Sequence, residues 1–294
     1  MAAYCYVNLC SQQFWHIFGH NQKSTSVKLN RDTLRPYVTV DNIPEWICPY
    51  CGRESLKGEK SNFKSFELAE SKVARSHDSW EPDWVEGTFC GLLKCSNRKC
   101  QEQIIVSGLM KVEFGYDDEL PFPVHQEILH PHFFVPAIPL FKISKDVPKQ
   151  IIDAVSEAFS IFWHDKASCG NKIRRVVELI IDDRKVTKTY LDKKRKRREY
   201  TLHARIELFG KRGKTIPEQK SAELLMAIKW IGNSGSHSNA ALQQNDILDG
   251  LEILSHILEL LYDKEHLRIY KLSKEYNKSK GPLKRPLFST IHIK

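Results

Sequence analysis

The sequence predicts an α+β fold in which a small β unit precedes an antiparallel helical bundle. Two observations carry this prediction. Two pairs of cysteines accompany short strand-like segments before residue 120. From about residue 150 onward, apolar residues instead recur three and four positions apart, which is typical of helices that bury one face. The chain of 294 residues is long enough for both units to have a core.

The composition favours an anionic partner. The formal net charge is +9 at pH 7, which suits nucleic acid, either RNA or DNA. No apolar run is long enough to span a bilayer, and the first residues lack the basic and apolar regions of a secretion signal. We therefore expect a cytoplasmic protein with no membrane partner, whose eight cysteines are thiols or metal ligands rather than disulfides.

Residues 1–45 are predicted to form an N-terminal extension. Cys5, Cys10, His16 and His20 have ligand types that suit zinc, but the gap between the two pairs is far shorter than in a zinc finger. Aromatic residues are interleaved with them. A helix that packs against a core is therefore the favoured interpretation, and a metal site is the alternative.

A stronger metal motif begins at Cys48. Residues 48–52 read CPYCG, which is typical of a zinc knuckle, because its tight turn directs the thiolates of Cys48 and Cys51 at one ion and its glycine allows the unusual backbone. A second pair follows at Cys95 and Cys100. Four thiolates complete a closed tetrahedral site, which is the structural rather than the catalytic kind.

Cys90 is the rival fourth ligand, although its apolar neighbours predict that it is buried, and four free thiols are the other alternative. After the second pair, residues 103–107 and 110–114 look like the two strands of a hairpin. A knuckle followed by a hairpin is a zinc ribbon. We assign residues 46–125 to a zinc ribbon with an insertion, in which the metal stabilises a unit that is too small to fold on its core alone.

The helical bundle is assigned to residues 140–265. It follows an irregular connector over residues 121–139, which holds five prolines and three histidines, and it precedes a basic tail over residues 266–294. Arg174 and Glu178 stand four apart beside an apolar stripe. An exposed pair of this kind is worth only a few tenths of a kcal/mol, whereas a half-buried pair can orient groups in a site.

A basic hairpin is predicted as an insertion in the bundle over residues 184–202, with arms at 186–191 and 199–202. Six consecutive cations at its tip repel one another and must be exposed: Lys193, Lys194, Arg195, Lys196, Arg197 and Arg198. They can neutralise phosphates in a sequence-independent way, and Tyr190 and Tyr200 can stack on bases. The alternative is a solvated loop.

An apolar helix runs into small polar residues between Ile228 and His237. Asn233 and His237 stand four apart, so they share one face if the helix continues. Gly232 weakens a helix by roughly 1 kcal/mol relative to alanine and calls for an explanation. One interpretation is a helix end with a capping glycine. The other is a polar site on the bundle.

The order of these features resembles a prokaryotic family known as domain of unknown function 4145, over about residues 46–265. The resemblance rests on the CPYCG ribbon, Arg174-x3-Glu178 and Gly232-Asn233-x3-His237 before a leucine-rich helix. That family looks like a branch of the HEPN superfamily of small helical bundles. The resemblance therefore implies a HEPN-like bundle that forms a homodimer.

Many HEPN proteins are metal-independent ribonucleases of toxin–antitoxin and antiviral systems, with the signature R-x4–6-H. The histidine moves a proton at the ribose hydroxyl or leaving oxygen, and the arginine stabilises the phosphorane charge. By this resemblance, His237 is the acid/base and Asn233 positions it. Gly232 replaces the arginine, so Lys229, or Arg174 beside Glu178, has to supply the charge.

Two functional hypotheses follow. In the first, the protein engages nucleic acid, with RNA cleavage in antiphage defence or a toxin-type system as its candidate activity. In the second, it is a non-catalytic dimerisation or adaptor module that docks a partner defence or restriction enzyme. The missing arginine favours the second hypothesis, and the cationic run favours nucleic acid in both.

Overall fold

The computed structural model describes residues 29–53, 55–115, 124–213, 215–237 and 242–283, with only the backbone of residues 216–217, 235–237 and 265–267. The fold over this part of the chain is mixed α+β, as predicted. A four-stranded antiparallel sheet comes first, and six α-helices with one small hairpin follow it. Within the same ranges, no helix combines the length and the apolar character needed to cross a membrane.

The sheet has the strand order β1-β2-β3-β4, so each strand pairs with its neighbour in the sequence. The strands are β1 (Leu56–Glu67), β2 (Glu86–Cys95), β3 (Gln103–Gly115) and β4 (Val124–Val135). A short helix α1 (Ala69–Ala74) lies between β1 and β2. Burial alternates strictly along most of β2, because successive side chains of a strand point to opposite faces.

The predicted hairpin over residues 103–114 is wrong. These residues form the single strand β3, which continues through Ser107 and Gly108 with a bulge in its pairing to β4. A Cβ on Gly108 would collide with the carbonyl oxygen of His130 on β4. The glycine therefore permits a close approach between strands, where the sequence suggested a turn.

The predicted irregular connector over residues 121–139 is also wrong, because most of it is strand β4. His125, His130 and His132 consequently lie on this strand. Pro131 is tolerated because it stands opposite Gly108, next to the bulge, in a strand that pairs over its length with β3 alone. The long pairing with β3 outweighs the local signal of the prolines.

The helical half is organised around α3. Its helices are α2 (Lys149–Phe162), α3 (Lys166–Asp183), α4 (Leu202–Arg212), α5 (Ile216–His237), α6 (Gln244–Tyr262) and α7 (Glu265–Ser279). Helix α3 contacts α2, α4, α5 and α6, and buries an apolar stripe that includes Ile173, Val177 and Ile180. Part of the segment predicted as a basic tail is thus the helix α7.

The basic hairpin is present between α3 and α4, with strands β5 (Thr189–Leu191) and β6 (Arg197–Glu199). Its base is anchored by Arg205 of α4, which is only 7% exposed. The Arg205 guanidinium donates to Asp182 at 2.6 Å and to the carbonyl of Val186 at 3.0 Å. The hairpin is therefore attached to the core through a partly buried ion pair.

Aromatic packing joins the sheet to the helices. The Trp46 ring contacts Phe134 of β4 at 5.0 Å and Trp163, just after α2, at 5.9 Å between ring centroids. The Trp46 indole donates to the carbonyl of Thr33 at 2.7 Å. Nearby, Arg31 forms an ion pair with Glu252 of α6 at 2.6 Å. Residues 31–46 therefore contact both halves of the structure.

Helices α3 and α5 cross at two glycines. A Cβ on Gly232 would lie 2.6 Å from the Cβ of Arg174 and 2.9 Å from the carbonyl oxygen of Gly170. Helix α5 continues past Gly232 to His237. Gly232 is therefore not a capping residue at a helix end, which rules out that interpretation. The glycine is needed for a close contact between the two helix backbones.

We predict that Gly232→Ala destabilises the protein by about 1–3 kcal/mol, because the added methyl overpacks a backbone contact that cannot yield. Gly250→Ala in α6 is the matched control, since its Cβ would meet nothing nearer than 3.5 Å. That control should leave the free energy of unfolding unchanged or raise it by up to about 1 kcal/mol, because alanine favours a helix over glycine by about that amount. Urea denaturation measures both variants. Equal effects would contradict the proposed crossing.

Candidate functional site

The four predicted cysteine ligands meet at one point. The sulfur atoms of Cys48, Cys51, Cys95 and Cys100 all lie within 4.8 Å of one another. The Sγ–Sγ distance is 3.8 Å between Cys48 and Cys100, and 3.6 Å between Cys51 and Cys95. None of the four is in a disulfide. Two cysteines from each of two turns thus form a cluster that can hold one metal ion.

Each cysteine pair is positioned by a tight backbone turn. In the first, the Gly52 N–H donates to the Cys48 carbonyl at 2.9 Å, and Gly52 has a φ of +60°, which favours glycine. In the second, the Cys100 N–H donates to the Asn97 carbonyl at 2.9 Å. The two turns are brought together by the pairing of β1 with β2, which places Leu56 opposite Cys95.

Burial makes two of the four thiols reluctant to ionise. It raises the pKa of Cys48 to about 11, and it also raises the pKa of Cys95. A bound divalent cation would reverse this preference, because coordination favours the thiolate. The cluster is consequently chemically suited to a soft cation.

Cys90 does not belong to the cluster. It is exposed, although its apolar neighbours predicted burial. Strand β2 explains the error, because Phe89 and Gly91 point inward and Cys90 points to the outer face of the sheet. The other candidate metal residues, Cys5, Cys10, His16 and His20, lie outside the described residues.

The α3–α5 crossing brings together several of the predicted catalytic residues. On α3, the Arg174 guanidinium lies 3.5 Å from the carboxylate of Glu178. On α5, Lys229 is only 7% exposed. Burial lowers the pKa of Lys229, and the nearby charge of Arg174 lowers it further. Asn233, one turn further along α5, is half-buried.

His237 is the last residue of α5, but its side chain lies outside the described residues. Its α-helical backbone places it on the same face as Asn233, one turn earlier. Packing explains why position 232 is a glycine, because α5 crosses α3 so closely at Gly170 that no side chain fits there. An arginine at this position would require α3 and α5 to separate.

His203 is a residue that the sequence prediction missed. Its Nδ1 lies 3.4 Å from the Nζ of Lys229, and its Nε2 lies 3.5 Å from the carboxylate of Glu207. The same Nζ lies 3.3 Å from the centroid of the Trp230 ring. The spacing of four between His203 and Glu207 was a visible signal, but only the packing of α4 on α5 shows that they approach Lys229.

The tip of the basic hairpin is a defined turn. Asp192 accepts hydrogen bonds from the backbone N–H groups of Lys194 at 2.8 Å and Lys196 at 2.9 Å, and its other oxygen accepts from Arg198 at 3.2 Å. All six residues from 193 to 198 are exposed. The tip is shorter than predicted, since Arg197 and Arg198 belong to β6. Toward the base of the hairpin, the rings of Tyr190 and Tyr200 lie 4.6 Å apart.

Comparison with known proteins separates the two halves of the chain. Residues 156–279 match the family described as Domain of unknown function (DUF4145), and residues 36–134 match the family described as Domain of unknown function (DUF8608). No curated protein and no solved structure matches the chain. The predicted resemblance to the first family is therefore confirmed for the helical half, from α2 to α7, and it does not extend over the sheet, which matches the second.

Proposed function

We propose that the protein binds nucleic acid through the basic hairpin. The observation that carries this proposal is the tip between β5 and β6, where six exposed cations are presented on a turn held by Asp192. A preformed cationic loop can neutralise several phosphates, which gives salt-sensitive binding without sequence preference. Tyr190 of β5 and Tyr200 at the hairpin base lie side by side, so bases of a single strand bound at the tip can stack on them as it runs along the hairpin.

Helix α7 provides a second basic surface. Its exposed residues include Lys271, Lys274 and Lys278, together with Tyr270, which is 61% exposed. Lys274 lies over the ring of Tyr270, with 4.5 Å between the ammonium and the ring centroid. Proteins that bind single-stranded nucleic acid commonly combine cations with aromatic rings on which the bases stack. Together with the net charge of +9, this helix supports RNA or DNA as the partner.

We infer that the four-cysteine cluster holds a structural zinc ion. Zinc prefers four tetrahedral ligands and accepts an all-cysteine set, and such closed sites stabilise folds rather than catalyse reactions. Bound there, it would link the turn at Cys48 to the turn at Cys95 and so join the start of β1 to the end of β2. In this proposal the sheet half resembles a zinc ribbon in which β1, α1 and β2 form the insertion between the ligand pairs and the single strand β3 takes the place of the predicted hairpin.

RNA cleavage by a HEPN-like bundle in a cytoplasmic antiphage or toxin-type system is the second candidate function. It is supported by Lys229, one turn before Asn233 on α5, and by Arg174, whose Cβ lies opposite Gly232 across the helix crossing. Its competitor is a non-catalytic homodimer or adaptor that docks a partner defence enzyme. The packing at Gly232, which leaves no space for the arginine of the ribonuclease signature, favours that competitor.

We predict that the purified protein contains about one zinc ion per chain, measured by mass spectrometry of metals. Cys48→Ser should lose the metal and lower the thermal midpoint, because the site contributes to folding. Cys90→Ser is the control, since this exposed thiol is outside the cluster, and it should keep the zinc. A folded wild-type sample without metal would refute the zinc assignment.

We predict that replacing Lys193, Lys194 and Lys196 by glutamine weakens binding of a single-stranded RNA by about tenfold or more at 0.1 M salt. Each lost phosphate contact should also reduce the slope of log affinity against log salt by about 0.7. Fluorescence anisotropy across a salt series measures both effects.

The control for this experiment removes three exposed lysines of the sheet, Lys57, Lys60 and Lys111, by the same substitution. It has the same net charge as the hairpin variant and should retain most of the wild-type affinity and salt slope. If the two variants bind RNA equally well, binding follows overall charge and the hairpin is not the site.

If the bundle cleaves RNA, cleavage should persist with a chelator present and fall by about a hundredfold or more in His237→Ala, the effect of losing an acid/base group. His256→Ala on the exposed face of α6 is the control and should cleave like the wild type. RNA binding without cleavage by any of the three proteins would instead support the adaptor.

A further inference from the structure

Lys229 is a buried cation without a carboxylate partner among the described residues. Its side chain is enclosed at the α4–α5 contact, and its Nζ contacts the Nδ1 of His203 at 3.4 Å and the Trp230 ring at 3.3 Å. Neither neighbour carries a negative charge that would balance the ammonium. Buried lysines are rare and are normally paired, so this one calls for an anion.

The surroundings of Lys229 add positive charge. Arg174 lies opposite Gly232, three residues after Lys229, where an added Cβ would be 2.6 Å from the Arg174 Cβ, and its charge lowers the pKa of Lys229. The buried Nε of Arg174 has no hydrogen-bond partner within the described ranges. Glu178 lies 3.5 Å from Arg174, but it is held more closely by Arg175, at 2.7 Å. One carboxylate is thus divided between two arginines, and Arg174 retains donors for another anion.

Trp230 is an exposed aromatic surface next to these cations. Its side chain is 54% exposed. Lys229 covers one part of the ring, and His203 approaches it edge-on with 5.9 Å between the centroids. Trp230 is thus half open to solvent and lies beside an unbalanced cation. This combination suits a nucleotide, because the cation can bind the phosphate and the ring can stack on the base.

His203 orients Lys229. If Nδ1 accepts a hydrogen bond from the Lys229 ammonium, the ring proton is on Nε2, which faces the Glu207 carboxylate at 3.5 Å. This contact holds the ammonium in place. Among the described residues, the titratable groups that face Lys229 are His203, with Glu207 behind it, and Arg174, with Glu178 and Arg175 behind it.

We propose that the crossing of α3, α4 and α5 is a nucleotide subsite in which Lys229 and Arg174 bind a phosphate and Trp230 stacks on its base. His203 is a positioning residue. The ligand is the phosphate of a nucleotide, whether free or within a strand. The proposal rests on the proposed nucleic-acid binding and extends it, because it assigns one nucleotide of the bound strand to the bundle.

The position of the hairpin supports this assignment. His203 follows Tyr200 by three residues, so its backbone lies within roughly 11 Å of the hairpin base. A single strand advances by several ångström per nucleotide, and OB-fold proteins bind about 4–16 nucleotides of one in a single site. One strand bound at the cationic tip can therefore reach the subsite without leaving the protein surface.

The test measures binding of inorganic phosphate, adenosine and AMP by calorimetry, and of a short single-stranded RNA by anisotropy. We expect Lys229→Met to weaken the binding of AMP and of phosphate by about tenfold or more. Trp230→Ala should weaken the binding of AMP and of adenosine by a similar factor and leave the binding of phosphate unchanged. Lys220→Met is the matched control, because this lysine is exposed on the same helix and should bind AMP like the wild type.

The variants distinguish the subsite from the proposed function. Unchanged RNA and AMP binding in both Lys229→Met and Trp230→Ala would overturn the subsite, and the hairpin proposal would stand. AMP binding that depends on Lys229 and Trp230, without any RNA binding, would overturn the proposed function and support a free-nucleotide site. Because Trp230 is more than half exposed, its variant keeps the test valid even if Lys229→Met fails to fold.

Discussion

The close crossing of α3 and α5 determines the geometry of the helical half. Gly232 allows α5 to approach the backbone of α3 at Gly170 until a single Cβ added at position 232 would clash. Because α3 also contacts α2, α4 and α6, this separation sets the position of the whole bundle. The same approach brings Arg174 and Lys229 together, although like charges repel. Packing energy holds two cations where electrostatics alone would separate them.

The sheet half depends on a different constraint, which is the meeting of two cysteine turns. The turn at Cys48 precedes β1 and the turn at Cys95 follows β2, so the antiparallel pairing of these strands returns the chain to its starting point. A metal in this cluster would act as a crosslink between the two turns. The rings of Trp46, Phe134 and Trp163 then connect this half to the bundle.

Local signals were reliable where the chemistry is local. The CPYCG turn, the cationic hairpin and the amphipathic helices each depend on residues near in sequence, and all three are present. The errors arose where distant partners decide the outcome. Gly108 and Pro131 look like turn residues, yet they face each other in paired strands. Cys90 has apolar neighbours, yet the alternation of β2 turns it outward.

The sequence by itself determined the α+β class, the two cysteine pairs and the charge of the hairpin, since composition and short-range spacing specify these features. Tertiary structure alone decided that Gly232 lies inside a helix against Gly170, and that His203 and Trp230 surround Lys229. The physical reason is that a site between helices depends on the distance and rotation at which they pack. The side chains of both helices set this distance and rotation, so the apolar periodicity of one helix cannot predict them.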